Sequence, residues 1–287
     1  MAAWADGNWT SHDGLKLHYR DYPGSADVPA IVCLAGLTRN ARDFAKVAER
    51  LAGERRVICV DLRGRGESGW AKDPMSYVPP VYLQDIQALI ESLALDRFIL
   101  FGTSLGGLLT MFLAGLYPGK LRGALLNDIG PVIEPAGLAR IRSYVGRGGS
   151  FPTWFHAARA IQETQHAAFP DYELEDWLAM AKRQCRVTQA GRVVFDYDMK
   201  IAESLRVPGN ETVADPWRAL EGLKLIPTLL VRGALSDILA PVTAAEMARR
   251  LPLMEEVLLP RIGHAPMLDE PESIAGIDRL LERVSTT

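Results

Sequence analysis

The sequence is poor in the features that mark metal, redox, nucleic-acid-binding and membrane proteins. Its 287 residues include only three cysteines, which are not in CxxC spacing, and no HExxH segment. The net charge is −3, and lysines and arginines are spread along the chain without forming a basic stripe. No apolar run approaches the roughly 18 residues of a membrane span. We therefore predict no metal, no organic cofactor, no nucleic-acid partner and no membrane span.

Cysteine use and the first residues also bear on the compartment. Cys33 and Cys59 lie in apolar, strand-like runs, where a thiol is usually a small buried hydrophobe. Residues 1–14 have neither a basic start nor a continuous apolar segment, so no secretory signal is expected there. Free thiols suit a reducing compartment, and we predict a cytoplasmic protein. The sequence does not indicate an oligomeric state.

What the chain does have is an alternation of strand and helix patterns. The segment around Asp13-Gly14 is typical of a β-hairpin. Six later runs predict buried strands, because they are rich in leucine and β-branched residues and do not alternate apolar with polar positions. They are residues 30–34, 56–60, 97–101, 121–127, 226–233 and 255–260. Helical spacing fills 41–51, 78–94, 105–117, 241–251 and 272–283. This order predicts an α/β fold with a mostly parallel sheet flanked by helices.

One long segment interrupts the alternation. Residues 131–222 contain no convincing central strand but three helix starts, after Thr153, Asp171 and Asp215. The chain has 6 Trp, 8 Tyr and 8 Phe, and ten of these aromatic residues lie in this segment. An insertion of this length favours a small helical lid over a loop. We call residues 131–222 the lid segment and predict that residues 1–130 and 223–287 form the core domain.

A serine between two glycines lies where a predicted strand meets a predicted helix. Gly102-Thr103-Ser104-Leu105-Gly106 matches G-x-S-x-G, follows the run 97–101 and opens a helix. At such a corner glycines let neighbouring segments approach closely, and the serine hydroxyl projects above the sheet. A capping serine with incidental glycines is the simpler alternative. We predict that Ser104 is a nucleophile.

A serine hydroxyl needs a base within hydrogen-bond reach, and five histidines are available. His12 and His18 lie in the N-terminal hairpin, and His156 and His166 lie on helices of the lid segment. His264 alone follows a central strand, at the sheet edge where the sites of parallel sheets gather. We predict His264 as the base.

Two carboxylates compete to orient the imidazole of His264. Asp237 follows the seventh strand and gives the chain order Ser, Asp, His. Asp128 follows the sixth strand at the same sheet edge, where it also suits a turn before Gly130-Pro131. We predict Asp237 as the acid of the triad and keep Asp128 as the alternative.

With these residues in place, the sequence resembles the α/β-hydrolases, and in particular their bacterial serine-esterase members. The resemblance covers the whole chain outside the lid segment. The turn DLRGRGES (61–68) is similar to the family's D-x-R-G-x-G-x-S turn, and LAGLTRN (34–40) lies where the family carries its oxyanion loop. The resemblance implies the α/β-hydrolase fold: an eight-stranded sheet whose second strand is antiparallel, with a helical lid between strands six and seven.

The same resemblance places the oxyanion hole on the backbone amides of Leu37 and Leu105. Many relatives have a histidine before the glycine of the oxyanion loop, and this chain has Ala35 there. Because the donors are backbone groups, they need no particular side chain. Arg39 and Asn40, which follow this loop, are predicted to line the substrate pocket.

These residues predict a serine hydrolase. The first hypothesis is a carboxylesterase that cleaves esters of small to medium acyl or alcohol groups through an acyl-enzyme, with the aromatic Trp154 of the lid segment also facing the substrate. The second is a hydrolase of C–C bonds, lactones or amides on the same triad. The third is a ligand receptor that keeps the fold without useful turnover. In dehalogenases and epoxide hydrolases of this family an aspartate occupies the corner between strand and helix where this chain has Ser104. The serine therefore argues against dehalogenase and epoxide hydrolase activity.

Overall fold

The computed structural model describes residues 4–207 and 215–285. Its first part contains the strands β1 (Ala5–Thr10), β2 (Lys16–Tyr22), β3 (Ala30–Leu34), β4 (Val57–Asp61), β5 (Phe98–Thr103) and β6 (Leu121–Asn127), with helices α1 (Ala45–Leu51), α2 (Pro79–Ser92) and α3 (Leu105–Leu116). The lid segment contains α4 (Pro135–Tyr144), β7 (Ser150–Phe151), α5 (Trp154–Gln165), α6 (Leu174–Gln184), β8 (Cys185–Val187), β9 (Val193–Phe195) and α7 (Ile201–Leu205). The last part contains β10 (Thr228–Gly233), α8 (Pro241–Arg250), β11 (Met254–Leu259) and α9 (Pro271–Ser285).

Eight of these strands form one twisted sheet in the order β1-β2-β4-β3-β5-β6-β10-β11. Strand β2 is antiparallel to both of its neighbours, and the pairs from β4 to β11 are parallel. The predicted α/β fold with an antiparallel second strand is therefore confirmed. Because the parallel strands all point the same way, the loops that follow β3, β5, β6, β10 and β11 meet at one edge of the sheet.

The central strands are buried on both faces, which explains their continuous apolar runs. Every residue of β3, β4 and β5 is buried. Apolar residues of α2 and α3 cover one face of the sheet, and those of α1 and α9 cover the other. The sheet is therefore packed between two layers of helices, and the loops at its edge extend from buried strands.

Two predicted helices differ in detail from the structure. Residues 41–44 form a 3-10 turn before α1 begins, with the Asn40 side chain accepting a hydrogen bond from the amide of Arg42. Helix α6 begins at Leu174 and not after Asp171, because Glu173 and Asp176 form a reciprocal capping box at its N-terminus. The N-cap at Thr153 is placed as predicted, with α5 beginning at the next residue.

The lid segment also holds a structure that the sequence did not predict. Strands β7, β9 and β8 form a separate antiparallel sheet, and each has only two or three residues, too few for any periodicity to show. Residues 216–223 form a 3-10 helix behind Asp215, and residues 208–214 lie outside the described residues. Aromatic residues such as Phe169 and Trp177 pack into a cluster of their own. The domain boundaries and the role of this segment as a lid stay predictions.

In the described parts of the chain, no helix combines the length and the apolar composition needed to cross a bilayer.

Candidate active site

The nucleophile candidate lies at the corner between β5 and α3. Ser104 is the single residue between these two elements, and its φ of 52° is unusual for a residue with a side chain. The flanking glycines are required by close contact. A Cβ on Gly102 would lie 2.4 Å from the backbone of Gly106, and one on Gly106 would lie 1.9 Å from the carbonyl oxygen of Leu34. The corner therefore exposes the serine hydroxyl at the sheet edge.

Three side chains that are far apart in the sequence form a continuous hydrogen-bonded row. The Ser104 hydroxyl lies 2.8 Å from Nε2 of His264, and Nδ1 of the same ring lies 2.7 Å from Oδ2 of Asp128. A ring that donates from Nδ1 to the carboxylate keeps Nε2 free to accept the serine proton. The structure brings Ser104 and His264 together, and it brings Asp128 to them.

Asp128 is fixed tightly in this position. Its side chain is fully buried, and its backbone has a φ of 54° directly after β6. The amide of Gly233 donates a 2.9 Å hydrogen bond to Oδ1, and the Ser236 hydroxyl donates a 2.6 Å bond to Oδ2. These two donors and the ring of His264 fix the carboxylate in the orientation that a catalytic imidazole needs.

The predicted pairing of Asp237 with His264 is wrong. Arg140, which lies on α4 of the lid segment, takes the carboxylate of Asp237 in a bidentate pair, with Nη2 2.7 Å from Oδ1. Burial alone would raise the pKa of Asp237, but the hydrogen bonds from Arg140 outweigh it and the pKa is lowered. Both aspartates follow strands at the same sheet edge. The contact with Arg140 of the lid segment occupies Asp237, and Asp128 is the carboxylate that binds His264.

The predicted oxyanion donors lie on either side of Ser104. Leu37 follows β3 and, like Ser104, lines the space above the sheet. Leu105 is the first residue of α3, where amide groups have no acceptor within the helix and the helix dipole is positive. A Cβ on Gly36 would lie 3.6 Å from the Ser104 Cβ, so the loop passes close to the nucleophile. Their role as donors stays a prediction.

The predicted pocket residues have three different positions. Arg39 lines the space beside Ser104 and binds Asp43 through its Nε and Nη2 atoms. Asn40 is buried, and its amide nitrogen donates to the carbonyl oxygen of Arg183, so it fastens α6 to the core and lines neither cavity at Ser104. Trp154 packs into the cluster of the lid segment and lines neither cavity that the described residues form at Ser104. The pocket predictions for Asn40 and Trp154 are therefore wrong.

The sequence reasoning missed a buried cation beneath the oxyanion loop. Arg65 has no exposed surface, and its Nε donates a 2.8 Å hydrogen bond to the carbonyl oxygen of Leu37. Its guanidinium lies over the rings of Tyr77 and Tyr82, and its Nη1 donates to the Tyr82 hydroxyl. Among the described residues no carboxylate lies within ion-pair distance of it. The available signal was an arginine inside a tight glycine turn that follows a buried strand.

Two cavities meet at Ser104. The larger one, which we call the large chamber, has a volume of about 530 Å³ and lies between α2, α3 and α4. The smaller one, which we call the small cavity, has about 60 Å³ of free space and lies beside His264 and Arg39. Ser104 and Leu37 line both. A substrate whose reacting bond lies at Ser104 can therefore extend into both cavities.

Comparison with known proteins agrees with the fold. The alpha/beta hydrolase family model matches residues 31–277. A 3-hydroxybutyrate-oligomer hydrolase of Cupriavidus necator is 38% identical over 267 residues, which cover 91% of this chain and 90% of that protein. An esterase of Mycobacterium tuberculosis is 27% identical over 263 residues, 89% of this chain and 83% of that one. The crystal structure of an alpha/beta hydrolase from Novosphingobium aromaticivorans has a TM-score of 0.95 and 54% identity, and covers 99% of both chains. The chain belongs to the α/β-hydrolase family, among relatives that include esterases.

Proposed function

We propose that this protein is a serine carboxylesterase that cleaves esters of small to medium acyl or alcohol groups. The observation that carries the proposal is the hydrogen-bonded row Ser104–His264–Asp128 at the edge of a parallel sheet. A serine at the corner between β5 and α3 and an imidazole within hydrogen-bond reach of it are the two parts that acyl transfer needs. The esterases among the relatives support the same reaction class.

In the proposed mechanism Ser104 attacks the ester carbonyl while His264 Nε2 takes its proton. Asp128 holds the imidazolium that forms, and the amides of Leu37 and Leu105 bind the oxyanion of the tetrahedral intermediate. His264 then gives the proton to the departing alcohol, which leaves an acyl group on Ser104. Water repeats the sequence and releases the acid. Each oxyanion donor contributes about 3 to 4 kcal/mol of transition-state stabilisation.

The choice of first substrates follows from the relatives. The protein from Cupriavidus necator acts, by its name, on oligomers of 3-hydroxybutyrate. A first panel therefore includes 3-hydroxybutyrate dimers beside simple carboxylic esters. Faster turnover of an amide, a lactone or a C–C bond than of any ester in the panel would replace the esterase assignment.

The decisive experiment compares two serine variants. We expect a fluorophosphonate probe to label wild-type protein at Ser104, and we expect Ser104→Ala to lose both labelling and at least about 10⁴-fold of the ester hydrolysis rate. Ser143→Ala is the matched control, because Ser143 is exposed on α4 and should leave both readouts unchanged. Failure of the folded wild-type protein to react with the probe would contradict the proposal and favour a receptor without turnover.

A further inference from the structure

The large chamber has an apolar surface although several of its residues carry hydroxyl groups. Most of its lining comes from aliphatic and aromatic side chains such as Leu108, Phe112 and Leu138, and among the described residues that line it none is charged. Its two tyrosines have their hydroxyls engaged elsewhere. That of Tyr77 donates to Asp198 at 2.7 Å, and that of Tyr82 accepts from Arg65 at 2.9 Å. The chamber therefore offers hydrocarbon contact and little hydrogen bonding.

The small cavity has a mixed wall, in which polar groups lie beside apolar residues such as Phe169 and Met267. Arg39, Asp43, Gln165 and the ring of His264 contribute to its walls. Arg39 and Asp43 neutralise one another across 2.7 Å, so the polar part of the wall has no strong net charge. With about 60 Å³ of free space, the small cavity suits a group of a few atoms that forms hydrogen bonds.

The position of His264 decides which half of an ester occupies which cavity. The leaving oxygen must receive its proton from Nε2 of His264, so it has to lie within hydrogen-bond reach of that atom. His264 lines the small cavity and not the large chamber, whereas Leu105 lines the large chamber and not the small cavity. The alcohol half therefore lies on the His264 side, and the acyl half extends away from it.

We propose that the large chamber is the acyl-binding site and that the substrate is a medium-chain acyl ester of a small, polar alcohol. This inference rests on the proposed function. The chamber's volume of about 530 Å³ lies within the roughly 300–1,000 Å³ of ligand sites. It suits a hydrocarbon chain on the order of six to ten carbons. Serine attack joins the acyl carbon to Ser104 Oγ, the ester C–O bond breaks, and the alcohol leaves with the proton from His264.

Two isomeric esters test the assignment directly. Methyl octanoate and heptyl acetate have the same composition, but the long chain is on the acyl side in the first and on the alcohol side in the second. We expect kcat/KM for methyl octanoate, followed by acid release, to exceed that for heptyl acetate by at least about 10²-fold, since each buried methylene adds about fourfold. Equal rates, or faster cleavage of heptyl acetate, would overturn the proposal while leaving the esterase function intact.

A pair of tryptophan variants on α4 tests the chamber itself. Leu138 is half-buried and lines the large chamber, whereas Ala139, the next residue, is exposed. We expect Leu138→Trp to lower the ratio of kcat/KM for methyl octanoate to that for methyl butanoate by at least about 10-fold, because the new ring occupies the far part of the chamber. Ala139→Trp is the control and should keep the wild-type ratio. A ratio that is the same in all three proteins would contradict the assignment.

A binding measurement separates this inference from the proposed function. In calorimetry with the Ser104→Ala variant, which cannot turn over, we expect octanoate to bind at least about 10-fold more tightly than butanoate, and we expect Leu138→Trp in the same background to abolish the difference. Equal affinities for the two acids would overturn the chamber assignment. If the wild-type protein cleaves no ester but shows this preference, the esterase function fails and a site for medium-chain carboxylates remains.

Discussion

The hydroxyl of Ser236 donates a 2.6 Å hydrogen bond to Oδ2 of Asp128, the same carboxylate oxygen that His264 contacts. Ser236 in turn accepts hydrogen bonds from the amides of Ile238 and Leu239, so its position is set by the loop after β10. A hydrogen bond to a charged group contributes about 1.5 to 3 kcal/mol. We expect Ser236→Ala to lower kcat for ester hydrolysis about 10-fold with little change in KM, measured by acid release. An unchanged kcat would show that Asp128 does not need the hydrogen bond from Ser236.

The two aspartates at the sheet edge should respond very differently to the same substitution. Asp128→Asn keeps the shape of the side chain but removes the charge that holds the imidazolium, and we expect kcat to fall by about 10³- to 10⁴-fold. Asp237→Asn is the matched control, since Asp237 is occupied by Arg140, and kcat should stay within about threefold of wild type. A larger fall in kcat for Asp237→Asn than for Asp128→Asn would instead support Asp237 as the acid of the triad.

We expect Arg65 to act through the oxyanion loop as a positioning residue. Its Nε–H fixes the carbonyl of Leu37, so Arg65→Met should let the loop move and lower kcat by about 10-fold or more. KM should change less than kcat, because Arg65 supports the chamber only through Tyr77 and Tyr82. Arg65→Lys, which keeps the charge and one donor, should recover part of the loss. We also expect a trifluoromethyl ketone, which forms an oxyanion with Ser104, to bind Arg65→Met more weakly, with a smaller loss of octanoate affinity. A parallel loss of both affinities in a protein with a lowered melting temperature would indicate a purely structural role.

Stability should depend on pH through His18. Its ring lies 2.7 Å from Asp61 and 3.0 Å from Asp6. Burial alone lowers the pKa of His18, but the hydrogen bonds to these carboxylates outweigh it, and the pKa is raised above its usual value. A raised folded-state pKa stabilises the folded protein fully below about pH 6.5, and this contribution is lost as pH rises through the folded-state pKa. The free energy of unfolding in urea should therefore differ more between wild type and His18→Gln at pH 5.5 than at pH 9. Parallel pH curves would contradict this.

The three cysteines should be inert in the folded protein. Cys33, Cys59 and Cys185 are free and buried, and burial raises the pKa of Cys185 to about 12. Because the thiolate is the reactive form, Ellman's reagent should label none of the three in native protein and all three in guanidinium chloride. Ester hydrolysis should also survive iodoacetamide treatment. Rapid labelling of one native thiol would show that the chain opens locally at that site.

The nucleophile and the base could be predicted from the sequence because each is marked by the residues and strands next to it. Ser104 stands in a five-residue motif whose glycines the structure shows to be required by contacts with Gly106 and Leu34. His264 could be selected because the other four histidines lie on the N-terminal hairpin or the lid segment. The mostly parallel sheet was equally predictable, since the central strands are continuous apolar runs and parallel strands need helical crossovers. The order of the strands was not predicted.

The acid could not be chosen from the sequence, because the choice depends on packing between distant segments. Asp128 and Asp237 both follow β-strands at one edge, and only the arrival of Arg140 from α4 shows that the second is occupied. Asn40 and Trp154 were misplaced for the same reason. Asn40 directly follows the oxyanion loop, but its side chain contacts the lid segment, and Trp154 packs within that segment.

In the proposed mechanism, the meeting of two unequal cavities at Ser104 governs which molecules can complete the reaction. While the acyl chain still fills the large chamber, the second nucleophile has to approach along the route that the departed alcohol has just vacated, beside His264. A compact alcohol can follow that route as readily as water does. In a medium containing methanol, such a protein would therefore act as a transacylase as well, and the proportion of methyl ester to free acid would report how the two nucleophiles compete at one narrow entrance.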